Sequence, residues 1–288
     1  MDWQTLSALA ADGLAVGSLY ALTAFGLTLV YGLLRVLHVA HAGVYAAGAY
    51  AGWLAFRGGG GLGWALLAGA GCAVALGLVL EWWFYRPLQG RSPLVALIGS
   101  IGLFVAVGDL LRILFGPYQH SLPVLPPRTV VGPVSLPQVV VVAATAGLFL
   151  VVYGIATRTP LGVGWRAIAQ DAEMAAAVGV PLPRYTQLAF ALASALAGVA
   201  GVLVGVYYNQ VYPTMGAVPA YKALAVVVLG GLGSPWGTVA AGLLLGVVES
   251  VAVAYLGNRF PPEGVAFLAM MLVLLFRPQG LLTAEPQG

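Results

Sequence analysis

Repeated apolar runs long enough to cross a bilayer decide which architectures are open to this chain. Crossing about 30 Å of hydrocarbon takes roughly 20 apolar residues in a helix. Apolar stretches near 12–34, 62–84, 94–115, 138–157, 185–208 and 236–256 meet or approach that length, and shorter ones lie near 43–56, 218–232 and 263–276. Lipid offers no partner to backbone N–H and C=O groups, so such runs fold as helices. The reading is an all-α polytopic membrane protein with about 8–9 membrane segments, some short or broken. Charge agrees: charged residues make up 7% of the chain, where a soluble domain carries roughly 25%.

No linker divides the runs, so 1–288 reads as one transmembrane domain. Forty glycines suit helices that approach closely, as at Gly198 to Gly201 and in the 230–233 turn. A net charge of +3 and a pI of about 9.1 do not signal nucleic acid, because the basic residues sit singly at span ends. The lone Cys72 has no intrachain partner and is expected to be a buried structural thiol. No Lys or Arg precedes the first apolar run, so no cleavable signal peptide is expected.

Basic residues favour the cytoplasmic side of membrane segments. With 158–184 inside, Arg35, Arg86, Arg91, Arg158, Arg166, Arg184 and Arg277 fall inside, and Arg57, Arg112, Arg128, Lys222 and Arg259 fall toward the outer side. The expected orientation is N-terminus out and C-terminus in, with the Pro-rich 116–137 loop external.

The short segments 43–56 and 218–232 border Gly, Pro or polar breaks. In transporters, paired short or interrupted segments mark the substrate site; alternatively these are short tilted helices with tight turns, and both readings stay open. Enzyme chemistry has no support. No phosphate-binding loop exists, the sole lysine being Lys222 followed by Ala223. His38-Val-Ala-His41 lacks the Glu and the spacing of a zinc-protease helix, and Gly231-Leu-Gly-Ser234 is no nucleophile elbow. No metal set emerges either.

Ionisable groups within spans are costly and are read one by one. Asp109 and Arg112, spaced i,i+3, neutralise each other. Glu249 lies deep in its segment and either lines a polar cavity or bonds a neighbouring helix. Glu81 and Lys222 fall near span ends and are expected to snorkel. His38 and His41, at the break after the first span, are either one face of a pathway or satisfied helix-end histidines.

Residues 158–184 form the one long water-facing stretch. Trp165, Ile168, Ala172 and Ala176 recur at helical spacing, with Arg166, Gln170 and Glu173 opposite. Asp171 is placed to cap a short helix from Ala172 to Val178, with Glu173 in its first turn. Gly179 supplies a left-handed stop, and Pro181 and Pro183 are expected to prevent resumption. The apolar face is mostly alanine and the basic content low. Docking into a groove of another protein is therefore favoured over lying on lipid.

These residues carry a resemblance. Arg166-Ala-Ile-Ala-Gln-Asp-Ala-Glu-Met-Ala-Ala-Ala-Val-Gly179 resembles the cytoplasmic coupling loop of branched-chain amino-acid ABC transporter permeases. Leu19-Tyr-Ala-Leu22 through Gly26-Leu-Thr-Leu-Val-Tyr-Gly32 resembles that family's first span, and Tyr85-Arg-Pro-Leu88 with Arg91-Ser-Pro93 its first cytoplasmic turn. Leu229-Gly-Gly-Leu-Gly-Ser234 and Phe276-Arg-Pro-Gln-Gly-Leu281 follow in family order, so the likeness spans nearly the whole chain and is closest to the H-type subunit. One departure stands out: in Val36-Leu-His-Val-Ala-His-Ala42 the family's Asn and Gly are replaced by His38 and Ala42, while His41 matches.

The resemblance implies a permease subunit, not an enzyme, in the bacterial cytoplasmic (inner) membrane. Its implied partners are a second permease subunit (a paralogue), two ATPases that bind ATP and Mg²⁺, and an external solute-binding protein. The chain itself needs no cofactor, and lipid surrounds it. Leu, Ile and Val are the implied substrates; urea, short amides or other amino acids, and an ion-coupled secondary transporter, are the alternatives. Gln170, Asp171, Glu173, Ala176 and Gly179 are the implied ATPase-coupling surface. His38, His41, Gly230, Gly233, Ser234 and Glu249 are the substrate-pathway candidates.

Overall fold

A computed structural model describes residues 3–126, 129–131, 134–257, 261–277 and 280–281. Of the residues read above, Asp2, Arg128, Arg259, Pro278 and Gln279 lie outside this set. The helices are α1 (Trp3–Leu34), α2 (His41–Arg57), α3 (Leu62–Leu80), α4 (Pro93–Phe115), α5 (Leu136–Arg158), α6 (Pro160–Gln170) and α7 (Ala172–Ala177). After them come α8 (Leu182–Tyr208), α9 (Ala217–Gly230), α10 (Pro235–Leu256) and α11 (Pro262–Phe276). A π-helical turn, Glu81–Tyr85, continues α3. Within the expected outer loop two short strands, β1 (Thr129–Val131) and β2 (Val134–Ser135), pair antiparallel. Among the described residues six helices are long and apolar enough to cross a membrane, and α9 and α11 are shorter apolar ones; α2, with 17 residues, makes a ninth segment.

Two helices form the centre. In their most apolar windows α1 is 83% and α8 78% buried, against 17–22% for α3, α4 and α5. Without a hydrophobic force between helices in lipid, close approach of backbones supplies the attraction. At the α1–α10 seam, Gly13 and Gly17 face Gly242 and Gly246, and a Cβ on any of these would collide with the opposite backbone. At the α2–α3–α8 seam, Gly48, Gly69 and Gly198 meet in the same way.

α2 and α9 span about 26 Å and 21 Å at 1.5 Å per residue, less than the hydrocarbon thickness. The chain between α1 and α2 breaks at Arg35, whose φ is +54°. α2 then starts beside Gly26, about 12 Å short of the end of α1. Gly216, just ahead of α9, abuts the carbonyl of Ala42 with no room for a Cβ. Two short helices thus begin against each other beside Gly26, about three-quarters of the way along α1. Of the two readings of the short segments, the interrupted-helix one describes this arrangement.

Several expectations are corrected. Cys72 is exposed, because the packed face of α3 is Ala65, Gly69, Ala73 and Gly77, leaving Cys72 on the other side. Glu81 and Lys222 do not snorkel; they are 0% and 3% exposed. The Arg86 guanidinium is 3.4 Å from Glu81 Oε1, and the partner of Lys222 is described below. The face running from Trp165 to Ala176 is not continuous, because Asp171 (φ −151°, ψ 105°) separates α6 from α7. Pro183 does not prevent a helix; it occupies the first turn of α8, where a missing N–H costs nothing. The Asp109–Arg112 pair forms as expected, at 3.0 Å.

Candidate translocation cavity and coupling surface

α1, α2, α8, α9, α10 and α11, with the 209–216 connection, line a partly open cavity of about 270 Å³. Lys222, five residues into α9, projects into it. Its Nζ donates to Glu249 Oε1 of α10 at 2.5 Å and to the Tyr20 hydroxyl of α1 at 2.6 Å. Tyr20 in turn donates to Glu249 Oε1 at 3.1 Å. Both charges are buried, Glu249 being 8% exposed, and a buried charge persists only when paired and hydrogen-bonded. Glu249 therefore does both things left open for it: it lines a polar cavity and bonds a neighbouring helix. Beside it, Asp12 of α1 accepts from Tyr207, and from Ser250 at 3.2 Å. Gln210, Tyr212 and Glu263 also line the cavity.

The 209–216 connection joins α8 to α9 beside this cavity. Asn209 takes a left-handed conformation (φ 53°), and its side-chain oxygen accepts from Ser121 and Leu122 at 3.1 Å each. An isolated bridge between His120 and Val211 adds a second tie to the 116–126 segment.

A second cavity of about 30 Å³, room for one or two waters, lies against the first. The two share Thr23, Pro219 and Ala223 in their walls. His38 and His41 line the smaller one and are 1% and 3% exposed. The His38 Nδ1–Tyr85 hydroxyl distance is 2.5 Å, and the two imidazoles lie 5.5 Å apart. Gly230, Gly233 and Ser234 stand apart from both. Ser234 caps α10, its Oγ accepting from Gly237 N at 3.2 Å, and Gly230 packs on Gly237. Fifteen residues separate Ser234 from Glu249, about 22 Å along α10. Gly233 instead lines a third cavity, shared with α1, α5 and α6.

Between α5 and α8 the chain forms a separate exposed surface. α6 is held to α8 by Trp165, which donates to the Tyr185 carbonyl at 3.0 Å, and to the end of α1 by Arg35, which donates to the Ala169 carbonyl at 3.1 Å. Asp171 caps α7 by accepting from Met174 N at 2.9 Å, and Gly179 (φ +90°) ends that segment. Gln170, Asp171, Glu173, Ala176 and Gly179 are all exposed. The inward residue of α7 is Ala175, 3% exposed, while Met174 and Val178 present 62% and 73% of their surfaces. Sequence reasoning missed those two, and it missed Lys222, Tyr20, Asp12 and Tyr85. Tyr20 and Tyr85 lay inside quoted motifs, and Lys222 is the chain's sole lysine, but nothing in the sequence shows which helices face one another.

A helical membrane bundle with interrupted half-helices, an interior polar cavity and a capped helix exposed between spans defines a membrane transport subunit. The chain belongs to the family described as the permease component of the branched-chain amino acid transport system, whose model matches residues 9–276. It is 35% identical to the high-affinity branched-chain amino acid transport system permease protein BraD of Pseudomonas aeruginosa, over 94% of each chain. It is 34% identical to the permease protein LivH of the same kind of system in Escherichia coli, over 94% of this chain and 93% of that one. The Escherichia coli permease protein LivM is also similar, at 33% identity over 43% of this chain and 29% of LivM.

Proposed function

We propose that this chain is one membrane-spanning subunit of an ATP-driven importer for branched-chain amino acids, with α7 as its coupling helix. The observation that carries the reading is that helix: capped at both ends, seated by Ala175 and exposed at Glu173, Met174, Ala176 and Ala177 between two membrane spans. A rigid element of six residues with Met174, Ala176 and Ala177 outermost, followed by the exposed Val178, suits the groove of a soluble partner. The similarity to both LivH and LivM supports pairing with a paralogous second permease. Two ATPases carry ATP and Mg²⁺, and a solute-binding protein delivers substrate at the opposite face.

Nucleotide-driven closure of the ATPases biases the bundle between outward and inward states. α6 relays the movement, because it is clamped both to α8 through Trp165 and to the α1–α2 break through Arg35. His38 and His41 flank that break, so their cavity changes shape with it.

Co-expression with the candidate partner subunits tests the reading. The wild-type chain co-purifies with a second permease and two ATPases, and its uptake of leucine requires ATP and withstands a protonophore. Met174→Asp with Ala177→Asp, both on exposed positions, releases the ATPases and abolishes uptake while the two permeases stay together. Uptake that survives without ATP and collapses with the proton gradient identifies a secondary carrier instead. ATP-driven uptake of urea or amides, with none of leucine, assigns the alternative substrates.

A further inference from the structure

The Lys222–Glu249 pair is built more elaborately than helix packing requires. Glu249 Oε2 is buried and has no hydrogen-bond partner among the described residues, although a buried carboxylate oxygen without a donor is costly and calls for an explanation. Lys222 spends two of its three N–H donors on Glu249 Oε1 and Tyr20. Both groups line the 270 Å³ cavity. An orphan acceptor and a spare donor therefore stand side by side at the wall of a space, on opposite charges.

We propose that Lys222, Glu249 and Tyr20 form the site at which the permease holds a free α-amino acid. The substrate ammonium binds Glu249 Oε2, the carboxylate binds Lys222, and the aliphatic side chain lies on the wall made by Val16, Leu19 and Met215. The inference rests on the amino-acid permease reading above and locates its substrate site.

Charge balance is the main argument. A zwitterion brings one charge of each sign, so the pair opens by exchanging partners and no uncompensated charge is left buried. A solute carrying only a carboxylate, or only an ammonium, strands Glu249 or Lys222, and stranding one member of a buried pair is strongly unfavourable. A neutral amide offers no charge to either partner and leaves the pair closed. Without substrate, Lys222 and Glu249 offset each other's charge and present no naked charge to a passing ion. Asp12 and Glu263, near the pair and in the cavity wall, favour arrival of the ammonium. The short α9 points its N-terminal end into the same space at Val218 and Pro219, which favours the carboxylate beside Lys222.

The test is ATP-driven leucine uptake by the complete transporter with its binding protein, comparing wild type with the double variant K222M/E249M. Replacing a buried ion pair by apolar groups of similar volume is commonly neutral or stabilising, so a pair that only joins helices leaves uptake unchanged. The expected result is a complex of wild-type composition and thermal midpoint whose uptake falls at least about 100-fold, the loss of two charge-assisted contacts. Uptake equal to wild type overturns the proposal. Absence of leucine uptake in the wild type sinks the amino-acid reading itself, which keeps the two failures apart.

If the double variant does not assemble, the wild-type complex without binding protein decides. Millimolar leucine raises its thermal midpoint, whereas leucinamide, lacking the carboxylate, and isocaproate, lacking the ammonium, do not. Equal shifts from all three, or none from leucine, overturn the site.

Discussion

At the residue scale, the chain separates features that act over a few positions from those that need a third dimension. Asp171 was readable as a cap because its acceptor and the Met174 N–H lie three residues apart in one turn. Asp109 and Arg112 were readable for the same reason. Lys222 and Glu249 are 27 residues apart on different helices, and hydropathy reports roughly how deep a residue lies, never which way it faces. Hydropathy accordingly places Lys222 at a span end toward the outer side. Its burial carries a prediction about stability that is separate from transport. Removing one partner leaves a buried charge unpaired, so Lys222→Met or Glu249→Met alone destabilises the subunit by about 3–5 kcal/mol, and the double variant recovers most of that loss. Thermal unfolding of the detergent-purified protein reads this. Single variants as stable as the double would mean that solvent already reaches both groups.

At the element scale, the long helices were legible because length and apolar content alone set them. Where two elements compete for one stretch, the sequence misled. Trp165 to Ala176 reads as one amphipathic face, but the extended backbone at Asp171 resets the helical phase, so Ala175 and not Ala176 turns inward. Pro183 reads as a stop because proline ends helices, yet in a first turn it opens one. The glycine content announced close packing without showing which helices meet. The seam of Gly48, Gly69 and Gly198 makes a contrast testable within one family of substitutions. A side chain at Gly198 runs into the backbone of Gly69 and into Ala73, whereas nothing lies within 4 Å of a Cβ at Gly71, on the outer face of α3. Gly198→Leu is expected to cost about 3 kcal/mol or more through overpacking and to abolish the monodisperse fraction after detergent extraction. Gly71→Leu leaves that fraction intact, and equal yields from the two variants would remove the seam from any structural role.

At the scale of the whole molecule, orientation is the property on which the coupling helix and the cavity both depend. Moving Lys222 from the outer surface into the interior leaves seven basic residues for the inner side (Arg35, Arg86, Arg91, Arg158, Arg166, Arg184, Arg277) against Arg57, Arg112, Arg128 and Arg259. On that count the expected orientation keeps the N-terminus out and the C-terminus in. The single cysteine makes a direct measurement simple. In a Cys72→Ser background, Ser121→Cys places a thiol on the segment tied to Asn209, and Ala177→Cys places one on the coupling helix; both positions are exposed. A membrane-impermeant maleimide applied to intact cells is expected to modify the cysteine at position 121 at once, and the one at position 177 only after permeabilisation. The opposite pattern would put α7 outside, where no ATP-driven partner could reach it, and would overturn the coupling assignment together with the orientation.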